Sequence, residues 1–122
     1  VVLTNEYSIS AAEFFAAALQ EYEAATVVGA PTSGKGYSQQ TFMLSDGSSV
    51  HISTTRYYTP KGNSLADTGM TPDILVETDT DQLRQLLSGD LADADDTQLQ
   101  AGITALNALV SAAANTDSTP AE

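Results

Sequence analysis

The chain has 122 residues, no Cys, and four Lys or Arg against sixteen Asp or Glu, for a formal net charge of −12. That balance repels phosphate backbones and argues against nucleic acid as a partner. The lack of Cys excludes disulfides, thiol nucleophiles and thiolate zinc sites, and no stretch approaches the roughly 18 apolar residues of a membrane-spanning helix.

The chain opens on Val1-Val2-Leu3, an apolar run that predicts a short buried strand over Val1–Asn5. A core strand in that position is unlike an initiator Met or a leader, so a further portion upstream of Val1 is expected. After a polar break, Ser10 followed three residues later by Glu13 forms a capping-box pattern and predicts a helix start. Phe14, Phe15, Ala18, Leu19 and Tyr22 then recur at helical spacing as one apolar stripe. Ala25–Ala30 reads as a second buried strand, so residues 1–30 spell strand–helix–strand and imply parallel strands with a right-handed crossover.

Pro31–Gly36 is a loop with Gly34 and Gly36 on either side of Lys35. Tyr37–Ser45 and Ser48–Tyr58 are strand candidates joined by the hairpin signal Asp46-Gly47. Alternation on the second strand turns Val50 and Ile52 inward and leaves His51 on the wetter face. Pro60–Asn63 reads as a turn, Ile74–Val76 as a short strand, and Asp79–Leu87 and Thr97–Ala113 as helices, the first capped by Asp79 or Thr80. Leu99, Ile103, Leu106 and Val110 give the last helix an apolar stripe fit to pack on a parent domain or a second subunit. Thr116–Glu122 is small and polar and reads as a disordered tail. Charge is uneven along the chain, with net −4 over 1–76 and net −8 over 77–122. Asp93, Asp95 and Asp96 lack the Gly and closing Glu of a calcium loop, so the acidic end reads as a solvated face with no metal site.

For hydrolytic chemistry the chain offers few bases. His51 would need a partnering Ser and acid, and nothing local supplies them. A lysine serves as base only when neutral, which requires burial or neighbouring positive charge. Lys61 lies in a turn expected to be exposed. Lys35 sits between two glycines that let the backbone approach closely and leave its amine room to turn inward. The loop lacks the Lys-Ser/Thr step of a phosphate cradle. Ser10 reads first as an ordinary helix cap and, without conflict, as a nucleophile at a strand-to-helix turn, where free N–H groups face a developing oxyanion.

Five ordered segments carry a family resemblance: Asn5-Glu-Tyr-Ser-Ile-Ser-Ala-Ala-Glu13, Gly34-Lys-Gly-Tyr-Ser-Gln39, Leu44-Ser-Asp-Gly47, Arg56-Tyr-Tyr-Thr-Pro-Lys-Gly62 and Gly69-Met-Thr-Pro-Asp73. Together they resemble the carboxyl-terminal processing, or tail-specific, serine protease family over about residues 1–77. The resemblance implies Ser10 as nucleophile, Lys35 as base, Gln39 orienting that lysine, and the Ala11 backbone N–H as half of the oxyanion hole. The other half comes, in the family, from a glycine upstream of the position of Val1. Departures from the family pattern are Tyr7 for Gly, Ile9 for a small residue and Ala12 for Ser; none removes a catalytic side chain.

The fold implied is α/β, part of a βα-superhelix related to the Clp-protease and crotonase architecture. Residues 1–77 would form the C-terminal part of the peptidase core, 78–115 a helical segment, and 116–122 a tail. The resemblance further implies protein or peptide C-termini as substrates, no cofactor, a PDZ domain in the missing N-terminal half, a possible homo-oligomer and an extracytoplasmic location. Residues 1–122 alone are expected to show negligible proteolysis. Two other readings remain at this point: a catalytically silent binding or assembly module, and a crotonase-like acyl-CoA enzyme, which the Ser, Lys and Gln positions disfavour.

Overall fold

The computed structural model describes residues 1–77 and 79–116. Its elements are β1 (Val2–Thr4), α1 (Ala11–Glu21), β2 (Val27–Gly29), β3 (Tyr37–Met43), β4 (Ser49–Arg56), β5 (Ile74–Leu75), α2 (Thr80–Ser88) and α3 (Thr97–Thr116). Each anticipated strand and helix is present. Of the stretch expected to form a tail, Thr116 is the last residue of α3, and residues 117–122 lie outside the described residues.

The strand–helix–strand reading of residues 1–30 holds. β1, β2 and β5 form a parallel sheet in the order β1-β2-β5, with Val2 opposite Val27 and Thr4 opposite Gly29. The middle strand is buried throughout, as a short Val-Val run between two parallel neighbours should be. Asp73 braces this strand from the β5 side: its backbone N–H donates to Val27 O, and its carboxylate accepts from Val27 N at 2.8 Å.

The core lies between α1 and this sheet and gathers Ala16, Ala17, Val27, Leu65 and Met70, with Val2 and Phe14 packed against it. Here the apolar stripe expected on α1 is corrected. Phe15 and Tyr22 are 64% and 72% exposed, while Glu13, Ala16 and Ala17 form the buried face. Small alanines let the helix lie close to Val27, and a carboxylate between them is kept inside by donors from a neighbouring loop. The helical period was right and its phase was not.

β3 and β4 form a separate antiparallel hairpin closed at Asp46-Gly47, with Thr41 opposite His51. Val50 and Ile52 do not turn inward: every residue of β4 is exposed, these two at 38% and 49%. A two-stranded ribbon buries a face only against a third element, and no described element lies over this one. α2 begins at Asp79, whose carboxylate accepts from Asp81 N and Gln82 N, and ends at Gly89 in the left-handed conformation. The N-terminal half of α3 rests on β1 and β2, with Leu99, Ile103 and Leu106 around Val1 and Leu3.

Candidate active site

The parallel strands deliver two loops to one place. β1 leads into Asn5–Ile9 and then Ser10; β2 leads into Ala30–Gly36. Cross-ties join them step by step. Ala30 N donates to Thr4 O at 2.9 Å, and Ser33 N donates to Ser8 O at 3.0 Å. Asn5 shapes the first loop, its side-chain carbonyl accepting from Tyr7 N and its backbone carbonyl from Ser8 N.

Ser10 stands at the strand-to-helix turn with φ 60° and ψ −118°. This is a positive-φ conformation that costs an L-residue about 1–3 kcal/mol and persists only where the surroundings enforce it. Ser10 and Glu13 stand in a capping-box arrangement, but the hydrogen bond formed is from Ser10 N to Glu13 Oε2, at 2.7 Å; the Ser10 hydroxyl makes no capping bond. The Glu13 N–H instead bonds the Ser10 carbonyl at 3.0 Å. The hydroxyl stands at the helix start beside the Glu13 N–H. The Ala11 N–H beside it has no hydrogen-bond partner among the described residues, so it is open to an incoming oxygen.

Glu13 is the centre of the arrangement, with 0% of its surface exposed. Oε1 accepts from the Thr32 hydroxyl and from Gly34 N, both at 2.6 Å. Oε2 accepts from Ser10 N and from Lys35 N, the latter at 3.0 Å. Burial pushes the Glu13 carboxyl up, but the hydrogen bonds from Thr32, Gly34, Ser10 and Lys35 outweigh it and hold the group below its ordinary value. One carboxylate oxygen therefore bridges the backbones of Ser10 and Lys35. The sequence shows Glu13 only as a capping residue. Its wider reach is signalled by an acid set between Ala11-Ala12 and Phe14-Phe15, on a helix whose other inward positions are apolar.

Gly36 presses on Ala66 so closely that a Cβ at position 36 would overlap the Ala66 backbone, and Asp67 N donates to Gly34 O at 2.9 Å. The close approach anticipated from these glycines is present. The inward-turned amine is not: Lys35 is exposed, and among the described residues no hydrogen bond joins its amine to the Ser10 hydroxyl. Gln39 lies on β3, which starts at Tyr37 and has a register shift between Ser38 and Gln39. β3 starts two residues past Lys35, so strand alternation does not set the face of Gln39 relative to that lysine, and the Gln39 amide donates to Ser53 Oγ at 3.3 Å. His51 pairs across the hairpin with Thr41 Oγ1 at 2.8 Å and has no carboxylate partner among the described residues. Lys61 is exposed in its turn, as expected.

Phe14 and Tyr57 meet edge to face, with ring centroids 5.0 Å apart. With Ser10 and Ala11 they line a cavity of about 330 Å³ beside the candidate nucleophile. Tyr57 N also donates to Gly36 O at 2.8 Å, so one residue touches both the helix that follows Ser10 and the loop that carries Lys35.

Glu21, at the far end of α1, fixes the turn that follows Tyr57. Its carboxylate accepts from Thr59 Oγ1 at 2.6 Å, Lys61 N at 2.7 Å and Asn63 Nδ2 at 2.8 Å. Partial burial raises this carboxyl, and the bonds from Thr59, Asn63 and Lys61 bring it below its usual value. Glu21→Ala should free the turn, and the Lys61 amide should exchange its hydrogen about tenfold faster, read by NMR. Unchanged protection at Lys61 would refute that role for Glu21.

The family model described as peptidase family S41 matches residues 1–76. A carboxy-terminal-processing protease of Bartonella bacilliformis is 43% identical over 77 residues, covering 63% of this chain and 18% of that protein. The carboxyl-terminal-processing protease of Synechocystis sp. is 37% identical over 122 residues, covering 99% of this chain and 27% of that protein. The chain thus spans less than a third of the length of these relatives. Among solved structures, a photosystem II D1 C-terminal processing protease aligns with TM-score 0.60 at 38% identity, over 62% of this chain and 20% of its own. The tricorn protease aligns with TM-score 0.64 at 22% identity, over 85% of this chain and 10% of its own, a likeness of fold alone.

Proposed function

The chain belongs to peptidase family S41, and from that membership we propose that it holds the nucleophile and the base of a serine endopeptidase that cleaves proteins near their C-termini. Ser10 is the nucleophile, Lys35 the base, Gln39 the residue that orients the lysine, and the Ala11 N–H half of the oxyanion hole. The observation that carries the reading is the shared carboxylate oxygen: Glu13 Oε2 accepts from both Ser10 N and Lys35 N, at 2.7 and 3.0 Å. Two residues 25 positions apart are thereby tied at their backbones, one of them a serine held at positive φ at the helix start.

The steps follow from the residue chemistry. With its amine turned to Ser10 in the longer protein, Lys35 takes the Ser10 proton as Ser10 Oγ attacks the peptide carbonyl. The oxygen of the tetrahedral intermediate gathers negative charge against the Ala11 N–H. Lys35 returns the proton to the leaving amine, and water clears the acyl-enzyme by the same route in reverse. The reaction needs no metal or cofactor. Since the chain matches 18% and 27% of its relatives' lengths, we place this activity in a longer protein that supplies the second oxyanion donor. In that protein residues 1–77 complete the peptidase core and 78–115 form a helical appendage. A PDZ domain upstream, self-assembly, and an extracytoplasmic site of action belong to the same proposal.

The test is covalent labelling. A peptidyl acylating probe should mark Ser10 in the folded full-length protein and leave Ser10→Ala unmarked. A folded, full-length protein that takes no label at Ser10 would instead be a silent binding module of the same fold.

A further inference from the structure

Residues 79–116 lie beyond the stretch matched by the family model, yet one of their side chains reaches the root of the site. Gln98, in the first turn of α3, is 7% exposed, and its Nε2 donates to the carbonyl oxygen of Thr4. Thr4 O is no ordinary sheet acceptor. It also receives the Ala30 N–H, and the Thr4 hydroxyl donates to Ala30 O at 3.2 Å. These bonds close the β1–β2 pairing at the point where the Ser10 loop and the Lys35 loop depart. The next tie between the loops is Ser33 N to Ser8 O, and the one after it is the Glu13 carboxylate.

Gly29, opposite Thr4 in the sheet, leaves the space for this contact. A Cβ at that position would overlap both the Gln98 amide and the Thr4 carbonyl. The approach of the helix is thus built into both elements. It is polar and buried at Gln98, with Leu99 beside it and Ile103 and Leu106 further along on Val1 and Leu3.

We propose that Gln98 is a positioning residue, through which α3 sets the spacing of the two loops that carry Ser10 and Lys35. The amide holds the Thr4 carbonyl in register with Ala30, and the rigid peptide units on either side pass that register to Ser8 and Ser33. Motion or displacement of α3 would then loosen both loops together, making the C-terminal helix a handle on the site. The inference rests on the Ser10–Lys35 reading for its catalytic consequence, but not for its structural one.

Gln98→Met in the full-length protein keeps the length and packing of the side chain and removes the donor. Gln98→Glu keeps the shape and sets a carboxylate against the carbonyl. Two measurements are needed. In both variants kcat for peptide hydrolysis should fall about tenfold with KM within twofold. Amide exchange at Ala30 and Ser33 should rise about tenfold, while Val27, whose N–H bonds Asp73 at 2.8 Å, keeps its protection. Unchanged exchange at Ala30 and Ser33 overturns the proposal, whether or not kcat falls. So does faster exchange with unchanged kcat, which would show that the loops move without consequence. Failure of both variants to fold overturns it as well, by making Gln98 a structural support. If the unaltered protein gives no Ser10-dependent turnover but exchange responds as stated, the protease reading fails and the helix-to-loop coupling stands.

Discussion

Lys35→Ala in the full-length protein should lower kcat by about 10³-fold while leaving KM within twofold, because general-base assistance to a serine hydroxyl contributes about 10²–10⁴-fold. The substitution leaves the backbone N–H that bonds Glu13 in place, so the carboxylate bridge to Ser10 survives and the fold should be unaffected. Lys35→Arg makes the argument sharper. It keeps the positive charge and most of the length, but a guanidinium is never neutral in a protein and accepts no proton. If the lysine merely stabilised negative charge, Arg would restore much of the rate; if it acts as base, Arg should be as slow as Ala. Lys61→Ala is the matched control. Its amine is exposed, its backbone N–H to Glu21 is retained, and its rate should stay near that of the unaltered protein. Steady-state kinetics on an unstructured peptide substrate decides among these outcomes, and a Lys35→Ala enzyme with normal kcat would remove the dyad from consideration.

Much of this architecture is legible in the residues because local signals and tertiary structure agree. The Val-Val run of β2, the Asp46-Gly47 turn and the Asp79 cap each specify their own backbone within a few residues. What could not be read is the phase of α1. Phe14, Phe15 and Tyr22 fit a helical stripe as well as Ala16 and Ala17 do, and burial of aromatics is the usual guide. The outcome turned on Glu13, whose donors come from Ser10 and from residues 32–35; the helix pattern marks the acid as out of place but does not say which distant loop supplies its partners. The hairpin illustrates the converse. Its alternation correctly gave strands, but alternation supplies a face only if something is there to cover it. Gln98 belongs with Glu13: one polar residue among several on its helix, singled out only when Thr4 and Gly29 are seen beside it.

Glu13→Gln isolates that carboxylate from mere volume. A glutamine matches the shape but offers one acceptor oxygen, and its NH₂ must face one pair of the present donors. Turned towards Ser10 N and Lys35 N, it meets two N–H groups that have nothing else to bond. Turned towards Thr32 and Gly34, it can use the Thr32 hydroxyl as acceptor, though that hydroxyl already accepts from Met70 N, and it leaves Gly34 N unpaired. The second orientation is less damaging, and each buried donor stranded costs about 1–3 kcal/mol. A loss of about 1–3 kcal/mol in unfolding free energy is therefore expected by urea denaturation. A fall of about 10²-fold in kcat is expected alongside it, because the Ser10 conformation loses part of its enforcement.

The pH dependence supplies the sign. Because the Glu13 carboxyl lies below its ordinary value of 4.5 in the folded chain, the unfolded chain takes up its proton first as pH falls. The stabilisation is thus complete above that ordinary value and is lost as pH drops through the lower, folded one. The unaltered protein should lose stability across that acid window, and Glu13→Gln should lose less there, since Glu21 and Asp46 remain as the other carboxyls held low and both lie at the solvent edge. Identical acid slopes for the two proteins would mean that the carboxylate is not the anchor, and that the strained Ser10 is held in place by packing around Phe14 alone.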